Sequence, residues 1–122
     1  MDPCVPAQRQ LVIELFVSDL QKSLAFYEQL GFERQRVDGN FAVLTWEGCE
    51  LFLDQRSPED LGGRSRGNVR VMVADVDRYW TLARSMNAEV FAPLEDRYYG
   101  LRDFTILDPD GFGVRFASTT KA

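Results

Sequence analysis

The chain contains the same pattern twice, and that limits its possible folds more than any other feature. VSDLQKSLAFYEQLGFE, residues 17–33, aligns with VADVDRYWTLARSMNAE, residues 73–89, at a constant offset of 56. Val17 matches Val73, Asp19 matches Asp75, Leu20 matches Val76 and Glu33 matches Glu89. Gly31 meets Asn87, the other residue that tolerates a left-handed helix end. Further on, FAVLTWEGCELFL (41–53) aligns with FTILDPDGFGVRFA (104–117) at an offset of 63. Each reads as a hairpin, one turning at Glu47-Gly48 and the other at DPDG.

The elements follow from local chemistry. LVIELFV, residues 11–17, is rich in β-branched and aromatic residues and predicts a strand over 12–17, with its counterpart over 68–73. Ser18 or Asp19 can cap a helix whose apolar stripe is Leu20, Leu24, Tyr27 and Leu30 and which Gly31 stops. Each module is thus strand–helix–strand–strand–strand, and the class is α+β. The seven residues that separate the two offsets fall in APLEDRYYG, read as irregular. Module one spans 10–54 and module two 68–118, within a single domain over 1–122. The polar, glycine-rich stretch 55–67 is the linker.

Strand alternation separates two faces. Ile13, Leu15, Val17, Ala42, Leu44, Leu51 and Leu53 in module one, and Val69, Val71, Val73, Val114 and Phe116 in module two, form the apolar face under a helix. The opposite face carries Val12, Glu14, Phe41, Val43, Phe52, Asp54, Asn68, Arg70, Phe104 and Arg115. Hairpin pairing is expected to place Val43 opposite Phe52 and Phe104 opposite Arg115. Aromatic residues mixed with both charge signs suit a solvated, concave surface better than a dry core.

Composition excludes several function classes. The net charge of −5 argues against a nucleic-acid binder, and no apolar run approaches a membrane span. Cys4 and Cys49 fit neither a disulfide framework nor a metal-ligand spacing, and the first ten residues lack a secretory layout, so a reduced, cytoplasmic protein is expected. There is no histidine. An imidazole base, a Ser-His or Cys-His nucleophile and a His-bearing metal site are therefore impossible within one chain. Cys49 has no base to activate it and reads as a small structural residue.

With VSDLQKSLAFYEQLGF in one module and YYGLRDFTILDPDGFGVRF in the other, the chain resembles the glyoxalase/bleomycin resistance/dioxygenase superfamily, also called vicinal oxygen chelate. The resemblance covers about residues 10–118. It implies two βαβββ modules forming a cupped mixed sheet with helices on the outer face, and a homodimer with the cups near the subunit interface. In metal-dependent members the ligands come from four symmetry-related positions, occupied here by Val12, Phe52, Asn68 and Arg115. Valine and phenylalanine cannot ligate, and arginine has no free lone pair. No metal or other cofactor is therefore expected. The nearest branch is the metal-free one resembling bleomycin-resistance proteins, which implies sequestration of an antibiotic in a groove at the dimer interface.

The ligand-binding candidates are Glu14, Phe41, Phe52, Asn68, Arg70, Tyr98, Tyr99, Phe104 and Arg115. RVDGNFAVLTWEGCELFL resembles the family's stretch in which the phenylalanine at 41 lines the groove, and RYYGLRDF its segment in which an aromatic, here Tyr99, stacks on the ligand. Tyrosine at 99 departs from the more usual tryptophan. Arg70 and Arg115 either hold an acceptor group of the ligand or pair with Glu14 and Asp54. Glu14 would need burial to act as a base, and neighbouring arginines oppose that, so no catalytic residue is assigned. The competing readings are an enzyme of the same fold with a non-standard or absent metal site, and a regulatory domain whose groove is filled by its own side chains.

Overall fold

The computed structural model describes residues 6–57 and 68–120. Cys4 and most of the expected linker, residues 58–67, lie outside the described residues. The chain divides into two compact units, Met1–Gly62 and Gly63–Ala122. After a short helix α1 (Ala7–Gln10), the first unit runs β1 (Ile13–Val17), α2 (Leu20–Leu30), β2 (Glu33–Asp38), β3 (Phe41–Trp46) and β4 (Cys49–Gln55). The second runs β5 (Asn68–Met72), α3 (Val76–Ser85), β6 (Glu89–Asp96), β7 (Leu101–Leu107) and β8 (Gly113–Thr119). Each is a βαβββ module with a four-stranded mixed sheet, ordered β1-β4-β3-β2 in one and β5-β8-β7-β6 in the other.

The two helices begin and end alike because the same residue types stand at their ends. The Asp19 carboxylate accepts from the backbone N–H of Lys22 at 3.2 Å, and Asp75 does the same for Arg78 at 3.3 Å. Gln55, placed by sequence in the linker, ends β4 and accepts from the backbone N–H of Leu20 at 2.8 Å. At the other end the N–H of Phe32 returns to the carbonyl of Tyr27, and that of Ala88 to Ala83, both at 3.1 Å. Gly31 and Asn87 make the left-handed step between them, at φ 119° and 55°.

The apolar faces pack under these helices. Leu15, Val17, Ala42, Leu44, Leu51 and Leu53 are buried with Leu20, Leu24, Tyr27 and Leu30. Val71, Val114 and Phe116 are buried in the second module, where Tyr79 stacks on Phe116 at 5.0 Å and Trp80 tilts against Phe104 at 5.1 Å. Ile13 lies at a strand start and stays 38% exposed, so the seal is incomplete at that end. Val12 precedes the strand rather than opening it.

Two expectations change. APLEDRYYG is irregular only in its second half: β6 continues through Asp96, with register shifts on either side of Ala92, and residues 97–100 form the turn. Pro93 is tolerated because β6 is an edge strand, where a missing N–H breaks no inner ladder. The larger change concerns the second hairpin. Glu47 and Gly48 make a two-residue turn with φ of 47° and 89°, the geometry that matches strand twist. The second turn is longer, with residues 108–112 between the paired Leu107 and Gly113. Asp108 organises it, its Oδ1 accepting from the N–H groups of Asp110 at 2.9 Å and Phe112 at 2.8 Å. A common offset of 63 therefore cannot hold for both strands of the hairpin. Val43 does face Phe52, but Phe104 faces Phe116, and Arg115 faces Thr105.

Gly31 is held in a backbone conformation that side chains resist, and a Cβ there would lie 3.2 Å from the Trp46 ring. Gly39, at φ 61°, has nothing within 4 Å. Gly39→Ala should cost about 1 kcal/mol through the backbone alone, and Gly31→Ala roughly 1 kcal/mol more. Chemical denaturation of the two variants checks the order.

Candidate functional site

In the second module the face away from α3 is organised around one carboxylate. Asp103 sits mid-strand in β7, and its side chain is only 4% exposed. Its Oδ1 accepts from Arg97 Nε at 2.7 Å. Its Oδ2 accepts from the Tyr99 hydroxyl at 2.6 Å and from Arg115 Nε and Nη2 at 3.0 and 2.7 Å. Arg97 continues outward, donating to Glu95 at 2.8 Å and to the Pro93 carbonyl at 2.6 Å. The Arg115 guanidinium also donates to the Tyr99 oxygen at 3.0 Å and lies 5.4 Å from the centre of its ring. Strand parity explains the gathering: Asp103, Thr105 and Arg115 point one way, while Arg102, Phe104 and Phe116 point toward α3.

Burial alone would raise the Asp103 carboxyl, but the hydrogen bonds from Tyr99, Arg97 and Arg115 outweigh it and hold the group below the usual carboxylate range. The same hydrogen bond to Asp103, with some desolvation, pushes the Tyr99 phenol above its ordinary value. Arg97's own hydrogen bond to Asp103 raises the guanidinium, which stays charged.

In the first module the corresponding face is aromatic. Phe41 meets Phe52 edge to face at 5.3 Å, over a buried Val43. The Arg36 guanidinium lies 5.6 Å from the Phe41 ring centre, and that of Arg56 lies 4.6 Å from Phe16, which is 48% exposed. Asp54 pairs with Arg56 at 2.9 Å, and Arg36 pairs with Asp38. Glu14 stands beside Phe52 in the parallel register and is exposed.

The predicted residues thus fall into two groups. Glu14, Phe41 and Phe52 share the open face of the first module. Tyr98, Tyr99 and Arg115 gather on the second, with Arg70 at the register position beside Arg115 and Asn68 beside Gly113. Tyr98 is 99% exposed and meets Tyr99 edge to face at 5.1 Å. Phe104 is a correction: it is fully buried between Trp80 and Phe116, on the helix side. Of the two readings left open for the arginines, the structure gives Arg115 a third partner in Asp103, while Asp54 pairs with Arg56. Arg70 is exposed and makes no ion pair among the described residues. Cys49 is exposed rather than a packed small residue. Sequence reading missed Asp103, Arg97 and Phe16. The signal for Asp103 was the longer DPDG turn, which moves it onto the face of Arg115.

The four positions that would hold a metal do not fit one. Phe52 packs on Phe41, Arg115 is bound to Asp103, Val12 is apolar, and Asn68 is a single weak donor. Among the described residues no three Cys, Asp or Glu side chains come together as a metal cluster.

Asp103→Asn should lower stability by about 2 kcal/mol at neutral pH, because buried donors lose their charged acceptor. The folded-state carboxyl is depressed, so its contribution is present above the unfolded value of about 3.9 and is lost as pH falls through the folded value. The gap between wild type and variant should narrow below about pH 4. Urea titrations at several pH values check this.

The sequence from residue 9 to 116 matches the family model of the Glyoxalase/Bleomycin resistance protein/Dioxygenase superfamily. The chain is 28% identical to proteins named bleomycin resistance protein from Geobacillus stearothermophilus and Staphylococcus aureus, over 93% of this chain and 98% of theirs. TioX from Micromonospora sp. ML1 superposes with a TM-score of 0.74 at 26% identity, covering 90% of this chain and 98% of that one. A bleomycin resistance determinant encoded on the transposon Tn5 gives 0.74 at 21%, covering 92% and 98%, a likeness of fold. With two βαβββ modules and this coverage, the chain belongs to the glyoxalase/bleomycin resistance protein/dioxygenase superfamily.

Proposed function

We propose that this chain is a metal-independent small-molecule-binding protein that sequesters an antibiotic of the bleomycin type. In this reading it works in the cytoplasm as a homodimer, with the ligand in a groove at the subunit interface. The observation that carries the proposal is Arg115. It occupies the position of the family's last metal ligand, and a buried carboxylate fixes it there as a cation. A divalent ion beside a fixed guanidinium is repelled, whereas a flat, polar ligand finds donors and an aromatic ring together. The named relatives, matched along nearly their whole length, support the choice of drug class.

Phe41 and Tyr99 supply the stacking surfaces. Phe41 is half-buried against Phe52, and Tyr99 is 47% exposed, so each offers a ring edge or face without leaving its own packing. Glu14, Arg70, Asn68 and Arg115 supply polar contacts, with Phe52 and Tyr98 beside the rings. No side chain among these is assigned a catalytic role.

Calorimetric titration with metal-free bleomycin should show saturable binding at about one ligand per chain. Phe41→Ala and Tyr99→Ala should each weaken it by about tenfold. Sedimentation should give twice the mass of one chain. Absence of saturable heat would overturn the drug reading, and a sedimenting monomer would remove the interface groove.

A further inference from the structure

Tyr99 stands on the short turn between β6 and β7, at residues 97–100, and is half exposed. An exposed ring on such a turn would ordinarily sample several rotamers, and each one lost on binding costs affinity. Here the ring is restrained from within. Its hydroxyl donates to Asp103 Oδ2 at 2.6 Å, and the guanidinium of Arg115, bound to the same oxygen, lies 5.4 Å from its centre. The other oxygen of Asp103 holds Arg97, whose guanidinium ties the turn to Pro93 and Glu95. The turn backbone is closed by Arg97 N–H to the Leu101 carbonyl at 2.7 Å and Gly100 N–H to the Arg97 carbonyl at 3.2 Å. One carboxylate therefore sets the turn with one oxygen and the two outward-facing groups with the other.

We infer that Asp103 is the positioning residue of the ligand face, orienting Tyr99 and Arg115 as one rigid pair without itself touching the ligand. Its side chain is 4% exposed, against 22% for Arg115 and 47% for Tyr99, so it acts through them. The inference rests on the reading of this face as a binding surface. It adds that affinity depends on a hydroxyl that faces the protein interior. If Tyr99 served only as a flat surface, the hydroxyl would be dispensable. If Asp103 positions it, Tyr99→Phe keeps the ring and loses its orientation.

Two measurements test this, one with ligand and one without. Bleomycin affinity by calorimetry should fall about tenfold in Asp103→Asn and several-fold in Tyr99→Phe, and stay unchanged in Asp77→Asn, which breaks a pair with Arg102 on the helix side. Ultraviolet titration of the phenols, with Tyr99 assigned by subtracting the Tyr99→Phe curve, should show Tyr99 ionising above the ordinary value in wild type. It should ionise lower in Asp103→Asn. Wild-type affinity in Tyr99→Phe, or a Tyr99 titration that Asp103→Asn does not move, would overturn the inference. Should Asp103→Asn fail to fold, Tyr99→Phe decides alone, since it removes only one oxygen. If wild type binds no bleomycin, the drug reading falls, and the phenol titration alone decides whether Asp103 sets Tyr99.

Discussion

Both modules depend on one constraint, the parity of a hairpin strand. A strand sends alternate side chains to opposite faces, so the number of residues in the preceding turn decides which of them lie under the helix. In the first module a two-residue turn pairs Trp46 with Cys49 and puts Ala42 and Leu44 under α2. In the second, the turn at 108–112 pairs Leu107 with Gly113 and puts Phe104 and Ile106 under α3. The core accepts both solutions because each delivers apolar side chains to the helix. The open face differs: the position that holds Phe41 in one module holds Asp103 in the other, and that holding Phe52 holds Arg115. An edge-to-face aromatic pair and a buried ion pair thus occupy the same place on the same backbone.

A mid-strand carboxylate 4% exposed is costly to bury alone. Asp103 is tolerated because its two oxygens have partners in three side chains, two of them cations. The partners are in turn fixed by it. Arg115 would otherwise be a long, mobile side chain, and Tyr99 an exposed ring on a turn. Breaking such a network from its centre is more damaging than removing any rim member. The ion pair of Arg102 with Asp77 and Asp96 contrasts with it. Those carboxylates are 61% and 67% exposed, so water competes for every contact and the pair adds little beyond tying β7 to α3.

The architecture was legible because the repeat made each element a check on its partner. Asp19 and Asp75 cap, Gly31 and Asn87 terminate, and the offset of 56 holds through both helices and the strands before them. Legibility failed where the repeat was assumed to continue unbroken. Aligning FAVL with FTIL pairs residues that look alike but point to opposite faces, so Phe104 was placed with Arg115 and Asp103 was passed over. The reach of the edge strand β6 to Asp96 was hidden for another reason. Pro93 is a strand breaker in most settings, and only an edge position makes it harmless. Charge partners stayed open because proximity across a face cannot be seen in a string. Asp54 finds Arg56 two residues away, and Arg115 finds Asp103 across the hairpin.

The same divergence bears on what such a scaffold can do. A duplicated module with identical faces would present two equivalent surfaces, suited to a symmetric ion or a symmetric ligand. Here one face carries Phe16, Phe41 and Phe52, with guanidinium groups over Phe16 and Phe41, and the other carries a carboxylate clamped by arginine and tyrosine. Aromatic rings gain most from flat, poorly hydrated surfaces, and fixed donors gain most from acceptor groups that cannot rearrange. The backbone repeat preserves the core, where volume is what matters, and leaves the open faces free to differ. The first module's face therefore offers ring surface and the second's offers fixed donors, a division set by which residues strand parity sends away from the helix.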